Sequence, residues 1–289
     1  ALGLARAGLQ LTLPGNSEIQ GFPATLRPAL QAMVKPQTND HSILVVRYGL
    51  HWPKYQEVPN RTQVLIYMAE DSDIPDHAIT EIKKFPLVLA PSTWAKGQLA
   101  KRGIESTLWL QGADEAAFTY GPRRRPAGPF YIFSGGKLEQ RKGQDITIEA
   151  FRRFRETPEG KDSVLVAAWQ NRWVATMNGI WESGLVKGVP VHRDGQLDIV
   201  SWCEANGLPR GSVIDLGSIS QAEMANAIRE CDVGLFPNRC ECATSMPLCE
   251  TLFCGLPCIV SQNTGHLDVQ SELVWKLRKQ APVTITTPI

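Results

Sequence analysis

"NRCECATSMPLCETLFCGLPCIV", Asn238–Val260, places two carboxylates, Glu241 and Glu250, in a stretch that otherwise reads as protein interior. Upstream, "DVGLF" (Asp232–Phe236) is an apolar strand candidate closed by Pro237. Downstream, "LPCIVS" (Leu256–Ser261) is another. Between them "MPLCETLFCG" reads as a helix that starts near Ser245 or Met246 and stops at Gly255. Strand, helix, strand is the unit of a parallel sheet. Glu241 then falls in a loop at the carboxyl end of a strand, and Glu250 in the helix that follows. Backbone N–H groups at that helix start suit an anion, and carboxylates accept hydrogen bonds from hydroxyls. A ligand with an anionic part and a polyol part fits the pair. A solvated loop acid and a partly exposed helix acid account for it equally well on residue chemistry alone.

The same alternation extends in both directions. Strand candidates are "HSILVVRYGL" (His41–Leu50), "TQVLIYMAE" (Thr62–Glu70), "PLVLAPS" and "ESTLWLQG" in the first half, with helices "DHAITEIKKF" and "TWAKGQLAKRG" between them. In the second half "FYIFSGG", "SVLVAAW" and "GSVIDLGSI" precede the opening stretch. "GQDITIEAFRRFRE" supplies an amphipathic helix, with Ile146, Ile148, Ala150, Phe151 and Phe154 as its apolar positions. "LDIVSWCEANG" and "SQAEMANAIREC" supply two more, and Trp169–Gly184 reads as an insertion with helical character. The Pro-, Gly- and Arg-rich "TYGPRRRPAGP" (Thr119–Pro129) separates the halves. The expected fold is α/β, with two Rossmann-like domains, 1–122 and 123–289, facing each other across a cleft. "ALGLARAGLQLTL" reads as a helix entering a strand, without the strand and Gly turn that open such a domain, so native residues are expected before Ala1.

Composition narrows the classes. The chain has 289 residues, 43% hydrophobic and 20% charged, with a net charge of +1. A general nucleic-acid surface needs a strong basic excess, so nucleic acid is not an expected partner. The basic clusters "PRRRP" (Pro122–Pro126) and "KLEQRK" (Lys137–Lys142) keep local anion binding open. No apolar run reaches membrane-span length and the start lacks a signal-peptide pattern. Seven cysteines, five of them between Cys240 and Cys258, match no common zinc spacing. They read as buried reduced thiols, which favours the cytosol, with peripheral membrane contact left open.

A second anion site is "SGGKLEQRKG" (Ser134–Gly143). Gly135 and Gly136 admit close backbone approach, and Lys137 and Lys142 bring charge to a phosphate. It lacks the Walker spacing.

These residues resemble the family 4 retaining glycosyltransferases, which have the GT-B arrangement of two Rossmann domains. "G-K-L-E-Q-R-K-G" (Gly136–Gly143) is similar to the family's "G-R-L-x-x-x-K-G", with Lys137 in the place of Arg. "ETLFCGLPCIVSQNTGHLD" resembles "E-A-M-A-x-G-x-P-V-V-x-S-x-x-G-x-x-D". Eight residues lie between Glu241 and Glu250, one more than the usual spacing, and Cys242 and Ala243 stand where a related branch has two glycines. The first half resembles the acceptor domain less tightly, through "VVRYGLHWP", "MAEDSDIPD" and "LWLQGADEAAF".

The resemblance implies transfer of a sugar from a nucleotide-diphosphate sugar to a glycan, lipid-linked saccharide or protein. It implies that Gly135, Gly136, Lys137 and Lys142 hold the diphosphate and that Gly217 presents backbone groups to the base. Glu250 would bind ribose, and Glu241, Cys242, Ala243 and Thr244 would line the sugar. His51 and Glu70, near carboxyl ends of first-half strands, are candidates for the cleft. No cofactor and no metal is expected, and "DSD" (Asp71–Asp73) reads as a solvated cluster. A sugar-nucleotide epimerase of the same fold and a non-catalytic sugar-nucleotide or glycan-binding module are the alternatives.

Overall fold

The computed structural model describes residues 13–14, 27–35, 44–49, 53–55, 57, 61–70 and 72–283, and the structural statements below concern these. Two larger parallel sheets form, one from each half of the chain, beside a two-residue parallel pairing of Leu13–Pro14 with Val34–Lys35. The four-stranded sheet runs β1 (Leu44–Gly49), β2 (Thr62–Tyr67), β3 (Leu87–Ala90), β4 (Thr107–Leu108), in that spatial order. The six-stranded sheet comprises β5 (Tyr131–Gly135), β6 (Val164–Ala168), β7 (Val213–Asp215), β8 (Val233–Phe236), β9 (Cys258–Ser261) and β10 (Val274–Leu277). Its order is β7-β6-β5-β8-β9-β10, parallel throughout. The order reverses at β5, whose neighbours are β6 on one side and β8 on the other. That is where ligands enter open α/β sheets.

The helices are α1 (Arg27–Met33), α2 (Asp76–Ile82), α3 (Thr93–Lys101), α4 (Gln144–Arg155), α5 (Ile199–Ala205), α6 (Gln221–Arg229) and α7 (Met246–Phe253). Successive strand residues point to opposite faces, and both faces of the six-stranded sheet are buried. Ile132, Leu165 and Ala167 pack with Ile148, Phe151, Ile199 and Trp202. Phe133, Val166 and Phe236 pack on the other side with Ala225, Ile228 and Leu248. In the first half, Leu65 and Tyr67 pack with Ala78 and Ile82 of α2 and Ala95 and Leu99 of α3.

The reading of the opening stretch stands. β8 ends before Pro237, α7 starts at Met246 after Ser245, and Gly255 follows with φ +81°. Other expectations change. The strand expected in "ESTLWLQG" shrinks to Thr107–Leu108, exposed at a sheet edge. Of the apolar positions of α4, Ile148 and Phe151 are buried, Ile146 and Phe154 half-buried, and Ala150 exposed. Polar Gln144, Asp145 and Thr147 are buried instead, because the first turn of α4 sits at the carboxyl edge of the sheet, where polar partners are. β10 was not anticipated: "VWKL" is short and is followed by a basic run. The insertion after β6 carries two 3-10 turns, Val174–Met177 and Ile180–Ser183, and a small antiparallel pairing of His192–Arg193 with Gln196–Leu197.

Candidate functional site

The turn after β5 and the loop after β8 are pressed together by a glycine. A Cβ on Gly143, at φ +73°, would lie 2.4 Å from the carbonyl oxygen of Pro237. Backbone bonds complete the junction: the amides of Arg239 and Cys240 donate to the carbonyl of Arg141 at 2.7 and 3.2 Å. The guanidinium of Arg239 forms a two-point pair with Asp145, at 2.7 and 2.6 Å, at the start of α4.

Across this junction the Lys142 ammonium and the Nδ2 amide of Asn238 both donate to Oε1 of Glu241. Arg141, which sequence reading passed over as an unspecified position in the pattern, is the centre of the cluster. Its side chain is 5% exposed. Nη2 lies 2.7 Å from Glu70, Nε 2.9 Å from Glu139, and Nη1 3.5 Å from Glu241. Burial works against the Arg141 charge, and these three carboxylates overcome it, so its pKa is raised. Burial likewise opposes the Glu241 charge, but Lys142, Arg141 and His266 hold its pKa down at about 2. Glu241 is thus an ionised, enclosed carboxylate at 3% exposure, not a solvated loop acid. Buried His266 is pushed down to about 4 by burial and is neutral near pH 7, with Nδ1 3.2 Å from the Ser261 carbonyl.

Glu250 differs in kind. It is half-buried in α7, and burial alone raises its pKa to about 7. No hydrogen-bond or ion-pair partner for its carboxyl group occurs among the described residues. An acid held near neutrality without a cation suits contact with ligand hydroxyls more than structural pairing.

The remaining predicted positions divide. Lys137 stands outside the Glu241 contact: its ammonium, on a side chain 38% exposed, lies 2.7 Å from Glu139 and 4.8 Å from the centre of the Trp173 ring. Gly136, at φ +123°, leaves room beside the Lys142 stem. A Cβ on Gly135 would meet Phe133 at 2.9 Å and Pro247 at 3.3 Å, so Gly135 serves packing as well. Gly217 follows β7, beyond β6. Its amide donates to Asp215, and the other Asp215 oxygen accepts from Gln170. Cys242, Ala243 and Thr244 are buried against the first half: Ser92 Oγ donates to the Cys242 carbonyl and Thr244 Oγ1 to the Gln111 carbonyl. Glu70 reaches the cluster through Arg141, while His51 and Asp71 lie outside the described residues.

Two chemical expectations are refined. In the basic "PRRRP" run Arg123 and Arg125 pair with Asp232 and the amides of Arg124 and Arg125 bond Glu230, so two of its three guanidinium groups are already engaged. No disulfide joins any of the seven cysteines, and burial raises Cys231 and Cys242 to about 12. Among the described residues, no group of three or more His, Cys, Asp or Glu could hold a metal ion, and no helix is long and apolar enough to cross a membrane.

No family model matches the chain, and no curated protein does. Solved structures do. Sucrose-phosphate synthase from Thermosynechococcus elongatus superposes with a TM-score of 0.54 at 16% identity, over 77% of this chain and 56% of that one. An α,α-trehalose-phosphate synthase (UDP-forming) from Burkholderia vietnamiensis gives 0.55 at 13% identity, over 74% and 55%. HepE from Anabaena, in complex with UDP-glucose, gives 0.51 at 15% identity, over 73% and 56%. The α/β fold with its parallel sheets resembles that of these GT-B glycosyltransferases. The chain spans a little over half the length of these proteins.

Proposed function

We propose that this chain carries the donor-binding and part of the acceptor-binding machinery of a retaining, metal-independent glycosyltransferase of the family 4 type. Its domains would be 1–122 and 123–289. The observation that carries the reading is the cluster at the switch point of the six-stranded sheet. There Gly136, Lys142 and Glu241 lie side by side after β5 and β8, and Glu250 stands without a cation in α7. The fold likeness to a UDP-forming synthase and to proteins solved with UDP-glucose or glucose-6-phosphate agrees with it.

In this reading the diphosphate lies over Gly136 with Lys142 as its main counter-charge, and Lys137 turns from Glu139 to join it. Both ammonium groups meet the charge that grows on the diphosphate in the transition state. The bond from the sugar's anomeric carbon to the diphosphate oxygen breaks, and its electron pair leaves with the diphosphate. The acceptor hydroxyl oxygen bonds the oxocarbenium-like carbon on the same face, and its proton passes to the departing phosphate oxygen. Glu250 binds ribose hydroxyls, Glu241 and the Cys242–Thr244 loop face the sugar, and Gly217 faces the base. The acceptor is a glycan, a lipid-linked saccharide or a protein, in a reducing, cytoplasmic setting.

The test is to incubate the chain with UDP-, GDP- and ADP-sugars and saccharide acceptors, and to measure nucleoside diphosphate release together with the anomeric configuration of the product. Transfer with retained configuration, undiminished in EDTA, is expected. Inversion, or complete loss in EDTA restored by manganese, would overturn the retaining or the metal-independent part. Binding without transfer would favour the non-catalytic module, a reading that the enclosed Cys242–Ala243 backbone supports.

A further inference from the structure

Three cations of the β5–α4 turn, Lys137, Arg141 and Lys142, face three carboxylates, Glu70, Glu139 and Glu241. The cluster is charge-balanced before a ligand arrives, and its cations are not equally free to leave. Lys142 hangs on a flexible four-carbon stem and pairs with one carboxylate. Arg141 divides a rigid, planar guanidinium among three, one of which, Glu70, lies just past the end of β2 in the first half of the chain. Its backbone carbonyl is held as well. Displacing Arg141 would leave three enclosed acids short of a cation. Displacing Lys142 leaves Glu241 with Arg141 and Asn238.

We infer that Arg141 is a positioning residue that frees Lys142 for an incoming diphosphate: it stays on Glu241 while the Lys142 ammonium turns from that carboxylate to a phosphate oxygen. The inference rests on the donor-site reading above. Without Arg141, Lys142 becomes the main cation on Glu241. A diphosphate could then recruit it only by exposing itself to a buried carboxylate with no counter-charge, which is costly. Arg141 thereby raises anion affinity without touching the anion. Glu70 anchors the far side of the guanidinium from the segment after β2, so the setting of this device depends on how the two halves of the chain meet.

A double-mutant cycle tests this, with UDP and inorganic pyrophosphate as calorimetric probes. Arg141→Gln should weaken both by about tenfold or more. In an Glu241→Gln background the same change should alter affinity by less than about twofold, because no carboxylate remains to be compensated. A direct Arg141–phosphate contact predicts equal loss in both backgrounds and would overturn the inference, as would unchanged affinity in Arg141→Gln. If Arg141→Gln does not fold, the comparison of Glu241→Gln with the double variant decides: equal affinity supports the inference and a tenfold difference, roughly, rejects it. Failure of either probe to bind the unaltered chain would instead bring down the donor-site reading itself, and this inference with it.

Discussion

Ser92 Oγ donates to the carbonyl oxygen of Cys242 at 2.6 Å while accepting from the amide of Ala95 at 3.0 Å. One fully buried hydroxyl therefore caps α3 in the four-stranded half and holds the loop after β8 in the six-stranded half. Replacing it with alanine removes a helix cap and leaves a buried carbonyl short of its donor. Ser92→Ala should lose about 1–3 kcal/mol of stability, read as a fall in the urea midpoint. A loss no larger than that of an exposed cap would show that the Cys242 bond contributes nothing.

Arg239 and Asp145 are a second structural pair. The Asp145 side chain is fully buried and that of Arg239 nearly so. Arg239→Met strands a buried carboxylate, with an expected cost of about 3–5 kcal/mol, and adding Asp145→Asn should recover most of it. Equal instability of the single and double variants in denaturant melts would contradict this account.

Lys142 should matter more than Lys137 for nucleotide affinity. Lys142 is enclosed beside Gly136, whereas Lys137 is partly exposed and screened by water. Lys142→Ala should weaken UDP binding by about tenfold or more, and Lys137→Ala by less, with the fold intact by circular dichroism. Calorimetry of both variants measures the difference, and a larger effect at Lys137 would reverse the assignment.

Glu250 and His266 should pull the pH profile of stability in opposite directions. The folded Glu250 pKa, raised from 4.5 to about 7, means that the folded state keeps a proton that the unfolded state gives up. Its contribution is full below pH 4.5 and is lost as pH rises to about 7. The folded His266 pKa, lowered from 6.5 to about 4, does the reverse: stability is lost as pH falls from 6.5 to about 4. The two nearly cancel over the overlap. Glu250→Gln should unmask a loss on acidification, and His266→Gln a loss on alkalinisation, in melting temperatures across that range. Glu250→Gln should also raise stability near neutral pH while weakening UDP binding, the trade expected of an acid kept for a ligand.

The alternation of branched strands with capped helices was legible in the residues alone, because periodicity and turn chemistry are local. β8, α7 and β9 lie where "DVGLF", "MPLCETLFCG" and "LPCIVS" place them. Lys142 and Glu241 were each legible as candidates, but their pairing was not, because the turn after β5 and the loop after β8 meet only in the folded chain. β10 and the exposure of Ala150 were not, since an edge strand and a helix face depend on what packs beside them. Arg141 shows the limit most sharply. A basic residue flanked by Gln140 and Lys142 reads as one more surface charge. What makes it the centre of the site is that Glu70, Glu139 and Glu241, spread over 172 residues of chain, converge on its guanidinium. Local sequence sets which residues can carry charge. Only the folded chain decides which of those charges leave water together, and burial is what turns a weak surface pairing into one that governs the site.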